Sequence, residues 1–111
     1  MITLVVNVKG YQPYTNWYDN NQPSADSQYV YIGNWHWLIP LQTKWGNPAA
    51  KLLKGKDRYD MKKIMETIQW YKENHLPKVL DQVHELKGKI LGCWCKPLPC
   101  HGDVLAELAD K

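Results

Sequence analysis

Near the end of this 111-residue chain, all three cysteines and a histidine fall within nine residues, Cys93-Trp94-Cys95-Lys96-Pro97-Leu98-Pro99-Cys100-His101. Thiols and an imidazole at this spacing can do three kinds of chemistry. Backbone N–H groups around Cys100, His101, Gly102 and Asp103, where a helix would start, can bind an oxyanion, with His101 adding a donor or a positive charge. Cys93, Cys95, Cys100 and His101 are also four ligands of a type that suits zinc, although structural zinc sites commonly use pairs separated by roughly two to four residues and Cys100 and His101 are adjacent. Cys100 could instead be a nucleophile, its thiolate favoured at a helix start beside an imidazole. Against all three stands the tendency of cysteine to be buried as a small hydrophobe, of which Cys93 is the best example here. A buried Cys93 leaves Cys95, Cys100 and His101 as the working set.

Such a site needs a strand that ends and a helix that begins beside it. Residues 89–94 read as the strand and 101–110 as the helix. Alternation along the strand sends Cys93 and Cys95 to one face and Trp94 to the other, and Pro97-Leu98-Pro99 then turns the chain. Asp103 falls in the first helical turn, where a carboxylate favours the helix dipole, while Gly102 loosens that turn. A strand end facing a helix start is where α/β proteins usually bind ligands.

Upstream, residues 2–8 are rich in β-branched and apolar side chains and read as a buried strand, with a long Asn-, Gln- and Pro-containing loop over 11–27. Tyr29 to Gly33 reads as a second strand with Asn34 at its exit, and Trp35 to Pro40 as a continuing strand or a hydrophobic flap. Lys44-Trp45-Gly46-Asn47-Pro48 must turn, since Pro fixes its own φ and biases Asn47 away from the helical region. We place this segment over the site, within a second long loop spanning 34–56. Met61, Ile64, Met65, Ile68 and Tyr71 recur at helical spacing and predict a helix over 57–74. After a break at 74–77, Val79, Leu80, Val83 and Leu86 form the apolar face of another helix that ends at Lys87-Gly88, a glycine suited to a left-handed cap. Strands separated by helical crossovers predict a small Rossmann-like α/β fold, one domain over 1–111, with a largely parallel sheet flanked by helices.

Composition narrows the function classes. Hydrophobic residues make up 44% of the chain, enough for a real core, and the net charge is 14 − 11 = +3 with lysines scattered among acids. That balance favours a soluble protein and makes nucleic acid an unlikely partner. The apolar start is too short to span a membrane and lacks a basic leader, and three crowded cysteines make a poor disulfide framework, so the expected location is cytoplasmic, with no membrane partner. Six Trp and seven Tyr with no Phe give flat, amphipathic surfaces that suit ring stacking and interfaces, and a homodimer is the default assembly. Among the other histidines, His75 reads as a capping or surface residue, His84 as exposed, and His36, between Trp35 and Trp37, as an exposed strand residue or a site residue.

Tyr-x-Tyr-Ile-Gly at 29–33, Trp-Gly-Asn-Pro at 45–48 and the ending Leu-Lys-Gly-Lys-x-Leu-Gly-Cys-Trp-Cys-Lys-Pro-x-Pro-Cys-His-Gly-Asp-Val-Leu-Ala-Glu-Leu at 86–108 resemble small bacterial and bacteriophage proteins grouped as domain of unknown function 4326. The resemblance covers about 28–110. The family pattern carries Arg where this chain has Asn34, and Phe where it has Ala49; loss of that Arg removes a bidentate donor suited to phosphate. The Cys-His ending looks like those of other Rossmann-like families linked to nucleotide-derived ligands, an analogy of fold.

These readings together lead to the expectation of a nucleotide-like small-molecule ligand, an ADP-ribose derivative or cyclic nucleotide, sequestered in phage counter-defence, with no cofactor. Its expected binding set is Tyr31, Gly33, Asn34, Trp45, Asn47, Cys95, Cys100, His101, Gly102 and Asp103, with Tyr31, Trp35, Trp45 or Trp94 stacking a base. Alternatives are an enzyme that hydrolyses such a ligand, with Cys100 and His101 as catalytic candidates, and a zinc-binding interaction module. Asp103 and Glu107, four apart on one helix face, suit solvation better than paired-carboxylate catalysis.

Overall fold

Val5 and Val6, with Leu4 before them, favour extended backbone, and they form strand β1, Leu4–Asn7. The computed structural model describes residues 2–9, 29–36 and 43–111. The expected 11–27 loop and the Trp37 to Pro40 part of the flap lie outside them. Strands β2, Tyr29–Tyr31, and β3, Ile90–Cys93, complete a sheet of order β1-β3-β2 in which both pairings are parallel. The register sets Leu4 and Tyr29 on either side of Ile90, and Val6 and Tyr31 on either side of Gly92.

Alternation divides the sheet cleanly. Val5, Val30, Leu91 and Cys93 pack on one face with Ile32, Trp45, Tyr71, Val83 and Leu105 in the larger core. Val6, Val8, Tyr29, Tyr31, Ile90 and Trp94 gather on the other. The helical segments contribute Tyr71, Leu76, Val79, Val83, Leu86, Leu105 and Ala109 to the first cluster.

Helix α1, Met61–Asn74, starts where the Asp60 carboxylate accepts the Lys63 N–H, an N-cap that satisfies one of the orphan donors of the first turn. Its buried stripe is Ile64, Ile68 and Tyr71. Met61 and Met65, expected on the core face, are each 50% exposed; the stripe is narrower than the periodicity suggested because the helix packs against short 3₁₀ turns and the helices beside it. Pro77 sits in the first turn of the short α2, Leu76–Val79, where its missing N–H costs nothing. The expected single helix then tightens into a 3₁₀ stretch, Leu80–Leu86, which turns Val83 and Leu86 inward and leaves Leu80 outside. Gly88, at φ 74°, makes the left-handed turn into β3.

The 34–56 segment, expected as loop, contains the 3₁₀ turn Pro48–Leu52, and a second such turn follows at Gly55–Tyr59. Helix α3, His101–Ala109, lies against β1 and β3. Its far end meets the start of β1, where the Asp110 carboxylate accepts the Thr3 N–H at 3.0 Å and the Thr3 hydroxyl at 2.6 Å. No helix among the described residues is long and apolar enough to cross a membrane.

Candidate functional site

Parallel strands point the same way, so the segments leaving β1, β2 and β3 share one edge of the sheet. Asn7 closes β1, Ile32 to His36 follow β2, and Trp94 to Cys100 follow β3 before α3 begins. The Asn7 amide donates to the carbonyls of Trp94, at 3.3 Å, and Lys96, at 2.7 Å, and so fixes the path of the chain leaving β3.

On one side of that exit lies an aromatic cluster. Trp94 donates its indole N–H to the Tyr31 hydroxyl at 2.9 Å, and that hydroxyl donates to the Asn34 carbonyl at 2.6 Å. The His36 ring stacks on Trp94 with centroids 4.4 Å apart and planes inclined by 29°. Burial pushes the Tyr31 phenol up to about 12, so it stays a neutral relay in this chain of hydrogen bonds. Gly33 is required here, because a Cβ would lie 2.6 Å from Tyr31 Cζ. Desolvation lowers the His36 imidazole, which favours its neutral form. Trp35 beside it is 57% exposed.

On the other side of the exit lie the thiols. Cys100 donates to Cys93 across 3.2 Å, and Cys95 packs against the core that holds both. Donation from Cys100, then from Cys95 and the backbone N–H groups of Cys95 and Lys96, holds the Cys93 thiol far below its ordinary range despite burial. Cys100 moves the other way, because its proton is held against Cys93 and Cys95 and its charged form would be buried. At Cys95 the bond from Cys100 lowers the thiol, but Cys93, burial and the negative charges of Cys93 and Asp103 outweigh it and push it up to about 11. The trio therefore supports one negative charge, centred on Cys93.

The start of α3 explains why the thiols are so placed. Cys100 is its N-cap: its sulfur accepts the Gly102 N–H at 3.1 Å, and its own N–H reaches the Asp103 carboxylate at 3.1 Å. Lys96 pairs with the other Asp103 oxygen. A Cβ on Gly102 would lie 2.7 Å from Ile32 Cδ1 and 2.9 Å from Val5 Cγ1, so glycine lets the helix start press onto the sheet.

This geometry sorts the expected residues. Tyr31, Gly33, Asn34 and Cys95 come together around the exit from β3. The N–H groups of Cys100 and Gly102 are consumed by the cap, and the Asp103 carboxylate stands where an oxyanion would approach. His101 is buried, its Nε2 2.8 Å from the Ile32 carbonyl and its ring 5.0 Å from that of Tyr71, and desolvation lowers its pKa. Trp45 and Asn47 are buried too, Trp45 accepting the Tyr71 hydroxyl through its carbonyl. The Asn47 side chain accepts the Ala49 N–H at 3.0 Å and donates to the Thr67 carbonyl at 3.2 Å. Of the zinc alternative's four residues, Cys93 and Cys100 have their sulfurs 3.2 Å apart while His101 Nε2 faces the Ile32 carbonyl, and no three His, Cys, Asp or Glu side chains among the described residues gather to hold a metal ion.

Two residues that shape this edge were absent from the expected set. His36 joins it through stacking, and Asn7 through its amide. An Asn at a strand exit is a signal that its side chain serves nearby backbone groups; nothing in the chain of letters pairs His36 with Trp94.

A family model described as Domain of unknown function (DUF4326) matches residues 15–111. The chain belongs to this family. It is also similar to an uncharacterized 12.4 kDa protein from the nrdA-td intergenic region of Enterobacteria phage T4, with 32% identity over 75 residues. That match covers 62% of this chain and 62% of the phage protein, so it spans less than two thirds of its relative. No solved structure matches this DUF4326 chain. The matched family region includes the aromatic cluster, the thiols and the start of α3.

Proposed function

We propose that the protein binds a nucleotide-like small molecule, an ADP-ribose derivative or a cyclic nucleotide, at the edge of the sheet where β3 ends. The observation that carries this reading is the ledge made by Trp94, His36 and the Tyr31 hydroxyl at the exit of the central parallel strand. Flat, neutral rings anchored by partly buried hydrogen bonds suit a nucleobase, and the carboxyl edge of a parallel sheet is the usual place for such a ligand. Because the N–H groups of Cys100, Gly102 and Asp103 are already bonded, we assign the charged part of the ligand to side chains of the same edge, with Lys9 beyond β1 as its cation. The Asn34 amide, one N–H of which donates to the Asn47 carbonyl at 2.8 Å, stands where an Arg would have been a stronger phosphate donor. The phage relative fits a role in which the ligand is sequestered as counter-defence.

The test is a thermal-shift series with ADP-ribose and cyclic nucleotides at saturating concentration. A ligand present at about 100 times its Kd should stabilise the fold by about 2.7 kcal/mol and raise the melting temperature by several degrees. Trp94→Ala should lose that rise for the same ligand. Failure of every nucleotide to move the melting temperature removes the reading. Chromatography of the ligand after incubation separates the two forms of the proposal, since intact ligand means binding and a cleaved one means turnover.

A further inference from the structure

The thiol trio is not needed to hold a nucleobase, yet it is built with care. Cys93 and Cys100 are 1% and 2% exposed, at the end of β3 and the cap of α3, with their sulfurs 3.2 Å apart. Closing them to bonding distance takes about 1.2 Å, less than side-chain rotation alone can supply. Cys95 is the one thiol of the three that is partly exposed. It packs against the same core cluster that holds both buried sulfurs. The arrangement thus has a buried pair already face to face and a third, partly exposed sulfur packed against the same core.

We propose that Cys93 and Cys100 form a reversible dithiol–disulfide couple, oxidised by a hydroperoxide that enters at Cys95. In the first step the Cys93 thiolate draws the proton from Cys95, whose sulfur attacks a peroxide oxygen: the S–O bond forms, the O–O bond breaks, and the leaving oxygen departs as water or alcohol with that proton. Cys93, again a thiolate, then attacks the Cys95 sulfenic sulfur, forming an S–S bond and expelling hydroxide, which takes the Cys100 proton and leaves as water. The Cys100 thiolate finally attacks Cys93, transferring the bond and releasing Cys95 as a thiolate. The sum is two thiols, one thiolate and one hydroperoxide giving one disulfide, one water, one water or alcohol, and Cys95 as the remaining thiolate. A small oxidant is required because the pair is buried; a bulky disulfide cannot reach either sulfur in line. The negative charge held at Cys93 makes it the attacking sulfur in the second step.

The consequence is a covalent link from the end of the central strand to the first residue before α3. It also changes the group that caps the helix, since the Cys100 sulfur that accepts the Gly102 N–H becomes half of a disulfide.

This inference is independent of the nucleotide reading and is tested on the whole folded protein. The reduced protein is treated with one equivalent of hydrogen peroxide, free thiols are blocked by alkylation, and the peptides are mapped by mass spectrometry. The expected product is a Cys93–Cys100 link with Cys95 alkylated, reversed by a dithiol reductant. Three alkylated cysteines, a final link that includes Cys95, or a link between two chains overturns it. Cys95→Ser should leave the same pair able to form but slow it at least about tenfold; an unchanged rate removes Cys95 from the pathway. The wild-type map decides the pairing even where Cys93→Ser or Cys100→Ser disturbs folding.

Discussion

His101 shows what a single buried titratable group does to this protein. Its imidazole lies against the Ile32 carbonyl and the Tyr71 ring, and desolvation holds its folded pKa below the ordinary 6.5. The unfolded chain therefore binds a proton more readily than the folded one between those two values, so stability rises with pH across that window. The stabilising effect is fully present above 6.5 and is lost as pH falls from there toward the folded pKa. Melting temperature measured against pH should drop through this range, and His101→Gln should flatten the drop; an unchanged slope would place the acid sensitivity elsewhere, His36 being the other imidazole lowered by desolvation. The sequence reading was sound on Cys93, Cys95 and Trp94, because strand alternation alone decides which face each takes. It could not place His101, whose partner is a backbone carbonyl 69 residues away. Nor could it show that Cys100 is itself the cap, since sulfur is an unusual N-cap acceptor.

Among the elements, the 3₁₀ turn at Pro48–Leu52 and α1 are held together by the side chain of Asn47. The motif Trp-Gly-Asn-Pro announced a turn, and the turn is there, but the same letters suggested a ligand contact where the structure has a buried splice. Asn47→Ala removes an acceptor from the Ala49 N–H and a donor from the Thr67 carbonyl, both in a site where water does not replace them easily. It should cost about 2–3 kcal/mol, read as a lower urea midpoint with an unchanged m value. Element types were legible because the apolar periods are strong: three strands, α1 and α3 fall inside their expected ranges. Their limits were less so. Leu80–Leu86 has the apolar spacing of an α-helix, and the tighter 3₁₀ winding depends on how the segment packs between α2 and α3 rather than on its composition.

For the molecule as a whole, the corner where Thr3 meets Asp110 and Gly88 ties β1, the turn before β3 and the end of α3. Thr3 is buried, and its hydroxyl donates to Asp110 while accepting the Gly88 N–H at 2.9 Å. Thr3→Val keeps the shape and removes both bonds, and a loss of about 1–2 kcal/mol is expected, with Thr3→Ser losing distinctly less. Equal losses for the two variants in chemical denaturation would mean that packing of the methyl, not the hydroxyl, secures this corner. The β1-β3-β2 order has a consequence in time as well as in space. The two outer strands pair with the central strand and not with each other. During synthesis β1 and β2 therefore emerge long before the strand that joins them, and both must wait until residues 90–93 have left the ribosome. Closing those distant pairings makes folding slow relative to a helical chain of this size, and it is the late arrival of β3 that builds the sheet and its carboxyl edge in a single event.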